Sequence, residues 1–182
     1  MSTTRKLSAT AVILFGMAVS STAASLPADL EAKVNAKAQA LKAWSSDPQI
    51  VSAVKTYNTS PPAEVQGMSE EKWKALPGLA PVVRSLSSNP LARHLMSKTD
   101  TVVTEIFVSG SNGGKVAFLS KTTSWSRAGN PKHDVPMKGK TWIGPLEVDQ
   151  SSGQEQVQVS LPVLDGQTAI GSIVVGLNAK KM

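Results

Sequence analysis

The residues able to do chemistry are few, and their spacing argues against catalysis. There is no cysteine, which excludes disulfides, thiolate chemistry and every cysteine-based metal site. The two histidines, His94 and His133, stand in no His-Glu-x-x-His arrangement, and no spacing brings carboxylates to either as a zinc site requires. Gly139-Lys140-Thr141 imitates the end of a phosphate-binding loop, but Asp134 stands where the loop's first glycine belongs. No Gly-x-Ser-x-Gly turn exposes a serine nucleophile. Neither an enzyme activity, a metal nor a cofactor is expected.

Binding chemistry is concentrated in the aperiodic stretch Ser124 to Gly139 and just beyond it. Trp125 and Trp142 offer apolar walls, Arg127 and His133 offer donors to a carboxylate or other small anion, and Asp134 can orient His133 or accept from an amine. A plainer role fits the same residues: both indoles as core fillers, the loop charges solvated. Arg127 stands out because a planar guanidinium can hold a carboxylate bidentately, with Lys132, Lys138 and Lys140 adding positive potential. Gln156, Gln158 and Ser160 share one side of a strand and would line a pocket only if that face is concave. His94 reads as structural, and the Asn58-Thr59-Ser60 sequon is given no weight.

The elements that must position this loop follow from periodicity. Leu30, Val34, Ala38, Leu41 and Trp44 recur at spacings of three and four, predicting a long amphipathic helix. Asp47-Pro48 opens a second helix that ends by Thr59 to Pro62, and Ser69 caps a short one carrying Glu70 and Glu71 in its first turn. Pro81 to Leu86 and Pro90 to Met96 predict two more. The period then changes. Val102 to Val108 and Lys115 to Lys121 read as strands joined by a tight Asn112-Gly113 turn. Thr141 to Val148 is a third strand. After a turn at Asp149 to Gly153, a fourth alternates Val157, Val159, Leu161 and Val163 against Gln156, Gln158, Ser160 and Pro162, so one face is expected to be wet. Asp165-Gly166 turns into Ile170 to Leu177, apolar almost throughout and therefore expected to sit centrally. Helices first and five strands afterwards predict an α+β domain with an antiparallel sheet backed by the long helix.

The N-terminus does not belong to that domain. Arg5 and Lys6 precede the apolar run Leu7 to Val19, and small residues follow to Ala24, the pattern of a secretory signal peptide. The run is too short to cross a bilayer. Residues 1–24 are thus expected to be removed, leaving a soluble domain over 25–182, periplasmic or secreted. Loss of Arg5 and Lys6 lowers the net charge from +6 to about +4, spread without a basic run, and with one Tyr and three Phe there are few stacking platforms for nucleic acid.

With the elements in order, the chain resembles the single Cache (PAS-like, PDC) sensor domains of bacterial receptors. The resemblance is carried by Thr104 to Val108 followed by Asn112 to Ala117, by Ser124-Trp125 where that family usually has an Asp-Tyr-like pair, by Trp142 to Pro145, by Asp149 to Gly153, and by Val159 to Val163 with Asp165-Gly166 and Ala169 to Leu177. Ser88 to Leu91 with His94-Leu95 is similar to the segment before that family's first strand. The resemblance implies a five-stranded sheet, a ligand pocket at the Ser124 to Gly139 loop, and binding rather than catalysis. The residues by which amino-acid-binding Cache domains hold an amino group and carboxylate are not recognisable, so ligand class does not carry over. The chain stops at Met182 without a further helix, so signalling is expected through a partner: a membrane-bound receptor or another periplasmic protein. The alternative is a ligand-free interaction or structural protein using the fold as a docking surface.

The leader predicts a mature N-terminus near Ala24 or Ser25, which mass spectrometry of the exported protein checks. Recovery of residues 1–23 in a membrane fraction would instead mean an anchored protein.

Overall fold

A computed structural model describes residues 26–149 and 153–182; the leader predicted over 1–24 and the middle of the Asp149 to Gly153 turn lie outside them. Helix α1 (Ala28–Leu41) buries Leu30, Val34, Ala38 and Leu41, the residues that carry its period. A 3-10 turn leads to α2 (Pro48–Thr59), whose first amides, Gln49 and Ile50, donate to the Asp47 carboxylate at 3.0 and 3.3 Å. Ser69 accepts from Lys72 N to cap α3 (Glu70–Ala75). Two proline-opened helices follow, α4 (Pro81–Ser88) and α5 (Pro90–Ser97), with Asn89 capping the second.

Five antiparallel strands complete the fold: β1 (Val103–Gly110), β2 (Lys115–Phe118), β3 (Trp142–Val148), β4 (Glu155–Asp165) and β5 (Thr168–Asn178), in spatial order β2-β1-β5-β4-β3. The apolar C-terminal strand is central, as its composition predicts. Ile106, Val108, Val157, Val159, Leu161, Ile173, Val175 and Leu177 are fully buried, and α1 and α2 pack on their face of the sheet. This is the α+β arrangement expected.

Three expectations are corrected. The second strand ends at Phe118, not Lys121, because the chain turns away there: Thr122 O accepts from the Trp73 indole and Lys121 Nζ donates to Leu76 O. The aperiodic stretch contains a four-residue helix, α6 (Pro131–Asp134), and a 3-10 turn at Pro136–Lys138, too short to show a period but signalled by Asn130-Pro131, where Asn130 accepts from Lys132 N. Finally, the polar side of β4 is not wet. Gln156, Gln158 and Ser160 are buried because the chain between β2 and β3, with α6, crosses back over that face.

His94 is structural. Its Nε2 lies 3.0 Å from Asp47, which also accepts from Lys98 Nζ at 2.8 Å, so the carboxylate that caps α2 also anchors α5. Burial opposes ionisation of Asp47, but hydrogen bonds from Lys98, His94 and the Ile50 and Gln49 amides more than offset it and lower the carboxyl from 3.8 to about 2. A depressed carboxylate contributes stability that is complete above its unfolded value and lost as pH falls through its folded one. Asp47→Asn, which can still cap α2, should therefore cost on the order of 1–2 kcal/mol near neutrality, and the gap to wild type should close between about pH 4 and pH 2. Urea melts of both proteins across that range measure it.

Candidate functional site

The face of the sheet away from α1 and α2 is polar, and the way it satisfies itself shapes a cavity. On β1, Glu105, Phe107 and Ser109 alternate with the core residues Ile106 and Val108; on β4 the same face carries Gln156, Gln158 and Ser160, and on β5 Ser172, Val174 and Gly176. Gly176 pairs with Glu105 on one side and Gln158 on the other. With no side chain on the middle strand, two polar bridges span it: Gln158 Nε2 donates to Glu105 Oε2 at 2.7 Å, and Thr104 Oγ1 donates to Gln156 Oε1 at 2.8 Å. A Cβ on Gly176 would come within 2.6 Å of Gln156 Oε1 and 2.7 Å of Thr104 Oγ1. The glycine is required by this close approach.

Above the bridges lies a cavity of about 190 Å³. Glu105, Gln156 and Gln158 line it from the sheet, Lys121, Thr122, Thr123 and Arg127 from the segment after β2, Lys132 from α6, and Glu147, Val148 and Asp149 from the end of β3. Lys132 Nζ donates to Gln158 Oε1, extending the Glu105–Gln158 bridge to a cation. Burial raises the Glu105 carboxyl, with the Gln158 hydrogen bond and the charges of Arg127 and Lys132 acting against it.

The cations are less well served. Arg127 stacks over Phe107, its Cζ 5.3 Å from the ring centroid, and its Nε is buried without a hydrogen-bond partner. Lys115 is fully buried, 4.8 Å from the same ring, with one long contact of 3.4 Å to Ser109 Oγ. Among the described residues, no carboxylate lies within ion-pair reach of either. Burial, and then the charge of Arg127, lowers the Lys115 ammonium well below its ordinary value. Lys132 is lowered by the same two causes.

Of the five residues singled out by type and position, Arg127 lines the cavity. It is half-buried, not an exposed loop residue, because the chain presses it onto Phe107. Trp142 does not line it but lies beside Lys132, which does, with that residue's Nζ 5.9 Å from the ring. The other three do not line this cavity, and Trp125 lines a separate one with Tyr57 and Asn112. Trp125 is buried against Trp73, ring centroids 5.2 Å apart. His133 is buried between strand and hairpin: its Nδ1 accepts from Ser172 Oγ at 2.7 Å, leaving Nε2–H to donate toward Ser111 O at 3.4 Å. Burial lowers its pKa, as the neutral ring in this arrangement requires. Asp134 accepts from Gly129 N at 3.1 Å and closes its own loop. Sequence reasoning did not single out Glu105; the signal was an acidic residue inside a strand rich in β-branched and aromatic residues.

Among the described residues, no group of three or more His, Asp or Glu side chains is placed to hold a metal ion, and no helix is long and apolar enough to cross a membrane. No protein family matches the chain by sequence. No curated protein matches it either. Solved structures do. The sensor domain of the Vibrio cholerae histidine kinase DctB superposes with a TM-score of 0.51 at 16% identity, covering 82% of this chain and 50% of that one. Looser likenesses include the sensory domain of the Campylobacter jejuni chemoreceptor Tlp3, solved with isoleucine (TM-score 0.39, 12% identity, 84% of this chain and 63% of that one). Another is the ligand-binding domain of the Pseudomonas aeruginosa amino acid chemoreceptor PctC, solved with GABA (TM-score 0.38, 14% identity, 73% and 58%). The fold is that of the Cache, or PDC, sensor domains, as the sequence resemblance implies. This chain spans about half the length of the DctB sensor domain.

Gly176→Val should break both bridges over β5 and fill the cavity floor, at a cost of about 1–3 kcal/mol for overpacking. The check is a melting temperature together with a crystal structure of the variant; an unshifted melt with both bridges intact would mean that the sheet yields.

Proposed function

We propose that this protein is a periplasmic sensor module that takes a small organic anion in the cavity beside Arg127 and passes the occupied state to a partner, either a membrane-bound receptor or another periplasmic protein. One observation carries the reading: a guanidinium that stays charged at neutral pH lines the cavity with a buried Nε that has no acceptor. A buried donor left unmade costs about 1–3 kcal/mol, and a carboxylate entering the cavity would recover it. The charge balance supports the same sign of ligand. Lys121, Arg127 and Lys132 face Glu105, Glu147 and Asp149 across the cavity. Burial biases Glu105 toward its neutral form and acts the same way on Lys132, while Glu147 is exposed, so Arg127 is the charge that the buried end retains. The leader supports the compartment, and a fold shared with a histidine kinase's sensor domain supports sensing over catalysis.

Thermal-shift screening of the mature protein against acetate, larger carboxylates, amino acids and uncharged amines tests this. Carboxylates should raise the melting temperature and amines should not; no shift with any of them would favour the ligand-free docking protein. Arg127→Met should weaken carboxylate binding by about 1.5–3 kcal/mol, the range for a charge-assisted hydrogen bond. Without ligand the variant should melt at the wild-type temperature or above it, because an apolar chain of similar length replaces a buried donor without an acceptor. Calorimetric titration with the best carboxylate and melts of both proteins separate the two effects.

A further inference from the structure

The segment from Lys121 to Arg127 supplies four of the cavity's lining residues yet has almost no hydrogen bonds of its own. Inside it, only Thr122 Oγ1 donating to Ser124 O is local. Its outer side is held instead by α3 and the residue after it. Lys121 Nζ donates to Leu76 O at 2.9 Å, the Trp73 indole donates to Thr122 O at 2.7 Å, and the amides of Trp125 and Ser126 donate to the two carboxylate oxygens of Glu70 at 3.1 and 2.8 Å. The next residue is Arg127. Its amide donates to Gly113 O at 3.0 Å, and the hairpin turn presses so close that a Cβ on Gly113, at φ +80°, would lie 2.4 Å from Ala128 N. The segment is clamped between α3 and that turn, with Trp73, Trp125 and Phe118 packed beneath.

We infer that Glu70 is the positioning residue of the ligand cavity: by holding both amides that precede Arg127, it fixes where the guanidinium sits over Phe107 and makes α3 the element that moves with the cavity's contents. This rests on the cavity being the ligand site. One carboxylate accepting two successive amides admits little play, since rotating the segment to re-aim Arg127 breaks at least one of the two bonds. The opposite side of α3 is solvent-exposed at Glu71, Lys72, Lys74 and Ala75, so a displacement there reaches the protein surface without passing through the sheet.

The test needs no ligand. Glu70→Gln keeps one acceptor and loses the other. Ser69→Ala is the control, because it removes the α3 cap bond from Lys72 N and leaves the Glu70 contacts in place. In Glu70→Gln, the Trp125 and Ser126 amides should exchange about tenfold faster with deuterium while those of Val159 and Val175 stay at wild-type rates. Phenylglyoxal should modify Arg127 several-fold faster, followed by peptide mass spectrometry, and the circular-dichroism couplet of the Trp73–Trp125 pair should weaken. Ser69→Ala should leave the Arg127 modification rate at the wild-type value. Unchanged Arg127 reactivity in Glu70→Gln, the same change in Ser69→Ala, or faster exchange extending to the β4 and β5 amides would each overturn the inference. A failed carboxylate screen would overturn the ligand reading and leave these rates untouched.

Discussion

A sheet covered on both faces must find a partner for every polar side chain that points off it, and in this protein that constraint organises everything on the side away from α1 and α2. Gln156 is answered by Thr104, Gln158 by Glu105 and Lys132, Ser172 by His133, and Ser160 by the carbonyl of Lys132. Most of these partners come from the β2–β3 connection or from across Gly176. The connection is therefore a cover laid down by hydrogen bonds more than by apolar contact. Beside Arg127 and Lys132 it leaves the cavity.

The helical side obeys a different rule. Its buried residues are apolar at the expected spacings, and its most heavily bonded polar group sits at a helix start, where Asp47 caps α2 while holding His94 of α5 and Lys98 just beyond it. Trp73 links the two regimes. Its ring packs edge-on against Phe118 and tilted against Trp125, while its indole N–H reaches Thr122 O. One side chain thus ties a surface helix, an edge strand and the cavity wall together.

Legibility followed the length scale of the signal. The long helix, the capped and proline-opened helices and the central strand all appear in the sequence because each repeats a pattern over several turns or pairs, or begins with a residue whose side chain does the capping. The cover's own helix was hidden because four residues of α6 cannot show a period. Arg127 was legible as a cation beside an indole, but its burial was not, since that depends on Phe107 and on a hairpin far from it in sequence. Trp125, His133 and Asp134 are polar or aromatic residues in a loop, a description that fits a ligand contact and a loop fastener equally well; their partners in the fold, Trp73, Ser172 and Gly129, lie far away in sequence or give no pattern in it. Gln156 and Gln158 have the alternation of a solvated face, and what covers them is set by topology.

The strand order has a kinetic side. β1 pairs with β2 through a short turn, but its other neighbour is β5, which also pairs along nearly its whole length with β4. The middle of the sheet is thus the last strand to leave the ribosome, and until it arrives β1–β2 and β3–β4 are separate hairpins with nothing to join them. Pairing at such sequence separation has a high loop-closure cost and folds slowly. The helices and isolated hairpins are marginal alone, so the cooperative core assembles only once the whole sheet is present.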